Sequence, residues 1–157
     1  MPFDDTMFIK RNVDILSFFT EEQIRAITQD VDRQVFKKGQ TVVFRGEINS
    51  NFNILKNGRA EVSVKNGGDT VILSTLGPGD FFGEMSLLES APAGATIRAV
   101  EDDTVVLMIP LDTFRAFLRQ NPSLDLALRE KMAERRRQNA AATAKPKPGG
   151  PPPAGRP

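Results

Sequence analysis

NGRAEVSVKNGGDTVILSTLGPGD, Asn57 to Asp80, is the stretch that decides the fold class. Within it Ala60, Val62 and Val64 alternate with Arg59, Glu61, Ser63 and Lys65, a period of two that gives a strand one apolar and one polar face. The strand is entered through Asn57-Gly58, the strongest short-range signal for a hairpin. It leaves through Asn66-Gly67-Gly68-Asp69, a second tight connection into Thr70 to Leu76, and Gly77-Pro78-Gly79-Asp80 supplies the turn that ends that run.

On either side the same texture continues from Gln34 to Pro110, with further strands over Ala95 to Val100 and Thr104 to Ile109 separated by the turn Glu101-Asp102-Asp103. So many short strands at this spacing predict a barrel or sandwich. Helical spacing flanks the β region. Thr20 and Gln23 form a capping box and Phe19 and Ile24 a hydrophobic staple, which predicts a helix to about Gln29 burying Ile24 and Ile27, with Val31 at its end. Ahead of it, residues 1–18 suit a short helix or arm. Beyond Pro110, Phe114, Phe117 and Leu118 mark a helix that stops before Pro122. Asn121 as N-cap and Pro122 at the first helical position start another, with Leu124, Leu128 and Met132 on one face. Glu134 to Arg137 would close it, with cations where the helix dipole favours them. Past Ala144, KPKPGGPPPAGRP lacks the apolar residues to build a core. The organisation expected is an N-terminal arm or helix (1–18), one folded domain (19–138) and a basic Ala/Pro/Gly-rich disordered tail (139–157).

Composition narrows the chemistry. A chain of 157 residues has room for one ordinary domain and a tail. Arg129 to Pro157 carries eight Lys/Arg against two Glu, and the remainder thirteen against eighteen, so a basic C-terminal stretch follows an acidic body. With no Cys and no His, the usual zinc sites and the Ser-His and Cys-His nucleophile systems are excluded. Neither a catalytic residue nor a metal site is predicted, and the expectation is a non-enzyme. No apolar run approaches the roughly 20 residues that span a bilayer, which leaves cytoplasm as the default location and no membrane partner.

The segment with most chemical content is LGPGDFFGEMSLLESAPAGATIRAV, Leu76 to Val100. It reads as a strand end, a Gly-rich turn, a short helix from about Met85, and a loop into another strand. Free amides at a turn feeding a helix N-terminus suit an anion, and Glu84 beside them suits a ligand hydroxyl. A purely structural account also stands: Gly79 and Gly83 allow unusual backbone angles and Glu84 caps the helix.

Four stretches together resemble one family: FFTEEQIRAITQDVDRQVFKKGQTVVFRGE, NFNILKNGRAEV, LGPGDFFGEMSLL and IPLDTFRAFLRQNPSLDLALREKMAERRR. In that order they are similar to the cyclic nucleotide-binding domain of catabolite activator proteins, protein kinase A regulatory subunits and cyclic nucleotide-gated channels, over about Asp14 to Gln138. The resemblance implies a mainly β fold with flanking helices: a double-stranded β-helix, or jelly-roll-like, barrel with an N-terminal helix, a short cassette helix and two C-terminal helices. It implies that Gly83 and Glu84 approach the sugar, with the carboxylate on the ribose 2′-hydroxyl, and that Met85, Ser86 and Leu87 form the cassette helix facing the phosphate. The family then expects Pro-Arg, a small residue and Ala-Thr, whereas this chain reads Pro92-Ala93-Gly94-Ala95-Thr96. Ala93 stands where the phosphate-pairing Arg belongs, and Gly94 where its small hydroxylated neighbour belongs. Arg98 and Arg45 are the candidate surrogate cations, each of which also reads as a solvated surface Arg. Asn53 replaces a usual aromatic residue and reads as a change in barrel packing.

The function this implies is a stand-alone regulatory domain sensing a nucleotide or other anionic ligand and signalling through a protein partner. The ligand would be cAMP, cGMP or another cyclic nucleotide, with no cofactor required, and Ala93 lowers the ordinary affinity. Leu124, Leu128 and Met132 read as a homodimer seam. The alternative is a degenerate interaction module that binds no nucleotide. Nucleic-acid binding ranks below both, since only Arg129 to Arg137 and the Lys-Pro tail would touch phosphates, without sequence readout.

Overall fold

The computed structural model describes residues 2–48, 51–83 and 92–144. Helix α1 (Pro2–Asn12) and a 3-10 turn (Asp14–Leu16) precede α2 (Glu21–Thr28). Eight strands follow: β1 (Asp32–Phe36), β2 (Thr41–Val43), β3 (Asn51–Asn57), β4 (Ala60–Asn66), β5 (Asp69–Leu76), β6 (Phe81–Phe82), β7 (Thr96–Ala99) and β8 (Thr104–Pro110). Helices α3 (Leu111–Gln120) and α4 (Pro122–Ala144) complete the described chain. The strands form two antiparallel sheets, ordered β1-β8-β3-β6 and β2-β7-β4-β5. Successive strands switch between them, the pattern of the jelly-roll barrel the sequence implies.

Two apolar layers result. Val43, Leu55, Leu76, Phe82, Ile97 and Val106 meet between the sheets, with residues from both lining one interior. On the other side of the first sheet, Phe52, Ile54, Phe81, Leu107 and Ile109 pack against the helices. The Phe52 ring stacks on Phe114 of α3 at a centroid distance of 4.1 Å, and on Phe81 at 5.4 Å.

The capping box forms as predicted: the Gln23 backbone N–H donates to Thr20 Oγ1 at 3.1 Å, and the Thr20 N–H to Gln23 Oε1 at 2.9 Å. The first residues are more than a loose arm. Ile9, Val13 and Leu16 are fully buried in the helical layer. Asp5 on α1 is buried too, its carboxylate 2.8 Å from Arg33 Nη2 on β1 and 2.6 Å from Lys56 Nζ on β3. Those strands flank β8, so the ion pairs clamp α1 across three strands.

The Asn57-Gly58 reading needs correcting. β3 and β4 do not pair; they lie in different sheets, and Asn57-Gly58 turns a corner between them. That corner is sewn to the β7–β8 corner, which also changes sheet. Asn57 Nδ2 donates to Asp103 O at 2.9 Å, Val100 N–H donates to Arg59 O at 3.0 Å, and Arg59 Nε sits 3.1 Å from Glu101 Oε2. Gly58 has φ +87°, and a Cβ there would meet the Thr104 side chain and lie 2.8 Å from Thr104 Cα. Asn66-Gly67-Gly68-Asp69 is a true hairpin: Asn66 pairs with Asp69, and both glycines have positive φ.

A second correction concerns α4. Leu124, Leu128 and Met132 are 2%, 0% and 4% exposed within this one chain. Leu124 and Leu128 belong to the helical layer of the core, so the expected homodimer seam is an intramolecular face. The helix also runs through Ala144, past the point where the sequence suggests a tail. The basic cluster at 135–137 therefore lies inside the helix and not at its dipole end. The Ala-rich stretch that follows it has the propensity to keep the helix going. Asn121 serves both helices, its carbonyl accepting from Leu124 N–H and its side-chain amide donating back to Phe117 O.

Three outcomes are expected from denaturant unfolding. Gly58→Ala should cost about 2–4 kcal/mol, combining left-handed backbone strain with overpacking against Thr104. Gly68→Ala, also at positive φ but with no atom within 4 Å of the added methyl, should cost only about 1–2 kcal/mol. Leu128→Ala should lose about 2–5 kcal/mol by leaving a cavity, with no change of association state in sedimentation.

Candidate functional site

The site predicted from sequence lies where β6 leads out of the first sheet and β7 enters the second. Its approach is built by a turn. Gly77 N–H donates to Asp80 Oδ2 at 2.7 Å, and the turn is hung on β3 by Gly79 N–H to Leu55 O and Leu55 N–H to Asp80 O, both 2.9 Å. Gly79 (φ +97°) passes directly beneath the end of α1, where a Cβ would run into the Asn12 carbonyl. Phe81 then faces the helices and Phe82 the barrel interior, and Gly83 follows with φ +93°. Glu84, Met85, Ser86 and Leu87, with the expected cassette helix, lie outside the described residues.

The returning segment is defined again from Pro92. Ala93 is half-buried and packs on the interior apolar cluster. Its N–H donates to Glu47 O at 2.9 Å and its carbonyl accepts from Gly46 N–H at 2.8 Å, which ties it to the turn after β2. Gly94 is half-buried and Ala95 buried. Thr96 Oγ1 accepts from Arg45 N–H at 3.1 Å, so four consecutive residues with no charged side chain form this wall.

The two candidate surrogate cations part company. On β7, Ile97 and Ala99 are buried on the inner face and Arg98 is exposed between them, directly across from Glu61 in the register. Arg98 therefore faces away from the interior, because two-residue alternation ties its direction to that of its neighbours. Arg45 sits at the rim. Its backbone holds Thr96, and its guanidinium donates to Lys65 O near the end of β4 at 3.4 Å. Among the described residues no Arg or Lys side chain is buried, and no group of three or more His, Cys, Asp or Glu side chains could hold a metal ion. No helix of the described residues is long and apolar enough to cross a membrane.

Asn53, read from the sequence as a change in barrel packing, lies on the inner face of the first sheet. It is 1% exposed, paired in the ladder with Phe82 on one side and Met108 on the other, and both of these contribute to the interior cluster. The signal was available: Phe52 and Ile54 share the helical face, so Asn53 and Leu55 must share the other.

Comparison with known proteins supports the family and the fold. The cyclic nucleotide-binding domain family matches residues 33–121. The cGMP-dependent protein kinase of Eimeria tenella is 40% identical over 101 residues, 64% of this chain and 10% of that protein. The chain spans about a fifth or less of the length of the first curated relatives it matches. Among solved structures, the Thermus thermophilus catabolite activator protein superposes with a TM-score of 0.69 at 26% identity, covering 81% of this chain and 60% of that one. The regulatory subunit of a cAMP-independent protein kinase A from Trypanosoma brucei superposes with a TM-score of 0.71 at 19% identity, covering 82% and 47%. It is a triple mutant bound to cAMP in its A site, with one substitution introducing an arginine.

The exposed placement of Arg98 carries an expected outcome. Arg98→Ala should shift the unfolding free energy by no more than about 0.5 kcal/mol and leave nucleotide titrations unchanged. Loss of binding in calorimetry would mean that its side chain enters the interior after all.

Proposed function

Since the chain belongs to the cyclic nucleotide-binding domain family, we propose that it is a non-enzymatic regulatory domain that takes a nucleotide or another anionic ligand into its barrel and signals through a protein partner. Its affinity for cAMP and cGMP is low in its natural form. The observation that carries this reading is Ala93, half-buried against the interior cluster at the position where the family resemblance expects the phosphate-pairing Arg. Gly83 and the cassette residues Glu84, Met85, Ser86 and Leu87 would meet the ribose and phosphate through a carboxylate and peptide dipoles. Of the two surrogates, Arg45 is the better placed, being held at the rim beside Thr96.

Magnitudes separate this from ordinary recognition. Truncating one member of a desolvated charge pair costs about 2–5 kcal/mol, a factor of roughly 30 to several thousand in affinity. Amides can hold an anion, but they supply partial charge only. Occupancy would reach the surface through the segments tied to the cassette approach: the Gly77–Asp80 turn is bonded to β3 and wedged under α1. A ligand that favours one arrangement of these parts would change the face offered to a partner.

A second reading keeps the fold and drops the ligand, leaving an interaction module. The uncharged run from Ala93 to Ala95 favours it, and so do the large apolar side chains left in water, among them Phe18, Phe44 and Leu126.

Calorimetric titration with cAMP and cGMP separates the two. The natural chain should bind weakly. Ala93→Arg should bind about 30-fold to several thousand-fold tighter. Binding by neither chain leaves the interaction module. Equal tight binding by both removes the argument from the missing guanidinium.

A further inference from the structure

Among the described residues, the buried polar side chains are Asp5, Thr6, Thr28, Asn53 and Thr104. Four of these are accounted for. Asp5 holds Arg33 and Lys56, Thr6 and Thr28 share a hydrogen bond of 2.9 Å, and Thr104 donates to Glu101 O at 2.8 Å. Asn53 is different. Its Nδ2 donates to Asn51 O at 3.2 Å and to Phe82 O at 3.4 Å, but no donor among the described residues reaches its Oδ1.

A carboxamide oxygen offers two lone pairs, and a buried acceptor left unpaired is destabilising. The place of this one matters. Asn53 shares the inner face of the first sheet with Leu55, between Met108 and Phe82, and Phe82 immediately precedes Gly83. This oxygen, without a partner among the described residues, thus sits on the inner face of the first sheet beside the strand that feeds the cassette.

We propose that Asn53 is a ligand-reading residue: its Oδ1 accepts a hydrogen bond from a neutral donor, a hydroxyl or an N–H, on the molecule held in the barrel. This rests on the reading of the barrel as a nucleotide site, and it adds a specificity determinant that needs no charge. The same amide bonds to the Phe82 carbonyl, so a ligand held at Oδ1 also fixes the orientation of the group that anchors β6. An interior without a guanidinium gains selectivity this way, because a ligand lacking the donor would leave the oxygen unpaired, whereas one bearing it would not.

The test is calorimetry with cAMP and with 2′-deoxy-cAMP on Asn53→Leu and Asn53→Val, each made in the natural chain and in the Ala93→Arg background, together with melting of the ligand-free proteins. The proposal expects cAMP binding to weaken on the order of tenfold or more in both variants. It also expects ligand-free melting temperatures equal to or above that of the parent, since the variants remove an unpaired buried oxygen. A weakening that vanishes with 2′-deoxy-cAMP assigns the donor to the 2′-hydroxyl; one that persists assigns it to the base. An unchanged Kd with a lowered melting temperature makes Asn53 a structural tie and overturns the proposal while the nucleotide reading stands. Failure of both the natural chain and Ala93→Arg to bind cAMP overturns the nucleotide reading and this proposal with it.

Discussion

The centre of the first sheet, strands β3 and β8, is buried on both faces, and most of the molecule follows from that. Phe52, Ile54, Leu107 and Ile109 on one side and Leu55 and Val106 on the other leave β3 and β8 no contact with water at their centres. A sheet with two apolar faces needs two covers. The helices supply one, and the second sheet, reached by strands that change layer at each corner, supplies the other. The space between the sheets is then an apolar interior, and the cassette approach and its return segment lie where β6 and β7 leave it. The second sheet has one wet face, as the exposed positions along β5 record.

This asymmetry also decides what could be read from the sequence. β4 was legible because it belongs to the one-faced sheet, so Ala60 and Val64 are buried while their neighbours are not. β3 carries no such alternation, and in NFNILKN the polar Asn53 between apolar Phe52 and Ile54 gave no hint of which cover it faced. The Thr20 capping box was legible because its chemistry is local. The Asn57-Gly58 corner was misjudged for the converse reason. Positive φ at Gly58 is required by the turn, but whether the chain folds back on itself or crosses to another sheet depends on Thr104, 46 residues later in the chain. Leu124, Leu128 and Met132 announced an apolar face correctly. A single sequence cannot say whether such a face meets its own chain or a second copy. Of the site, the glycines were plain, while the direction of Arg98 required the register of β7 and that of Arg45 its hydrogen bonds at the rim.

The helical cover is more than insulation. α1 is attached at both ends to parts of the barrel that lead to the site: Asp5 to Lys56 on β3, and Asn12 to the Gly77–Asp80 turn, where Gly79 leaves no room for a side chain. β3 in turn carries Asn53 and is bonded to that turn through Leu55. A displacement of the turn therefore acts on α1 directly, through contact, and on β3 through hydrogen bonds. Close-packed elements of this kind move as units, since a wedge with no free volume cannot be absorbed locally.

The distribution of charge completes the argument. The chain does place cations around a buried carboxylate, but it spends them on the outer side of the first sheet, where Arg33 and Lys56 neutralise Asp5 and dock α1. Among the described residues, the buried side-chain polarity on the inner side is that of one carboxamide, Asn53, beside the peptide groups of the cassette approach. A desolvated ion needs a compensating charge, because the cost of stripping its water is several kcal/mol and dipoles return only part of it. Hydroxyls and amines need only a paired hydrogen bond. On the proposed reading, an interior of this composition would discriminate on the neutral groups of a ligand more than on its phosphate, reversing the emphasis that a buried guanidinium would impose.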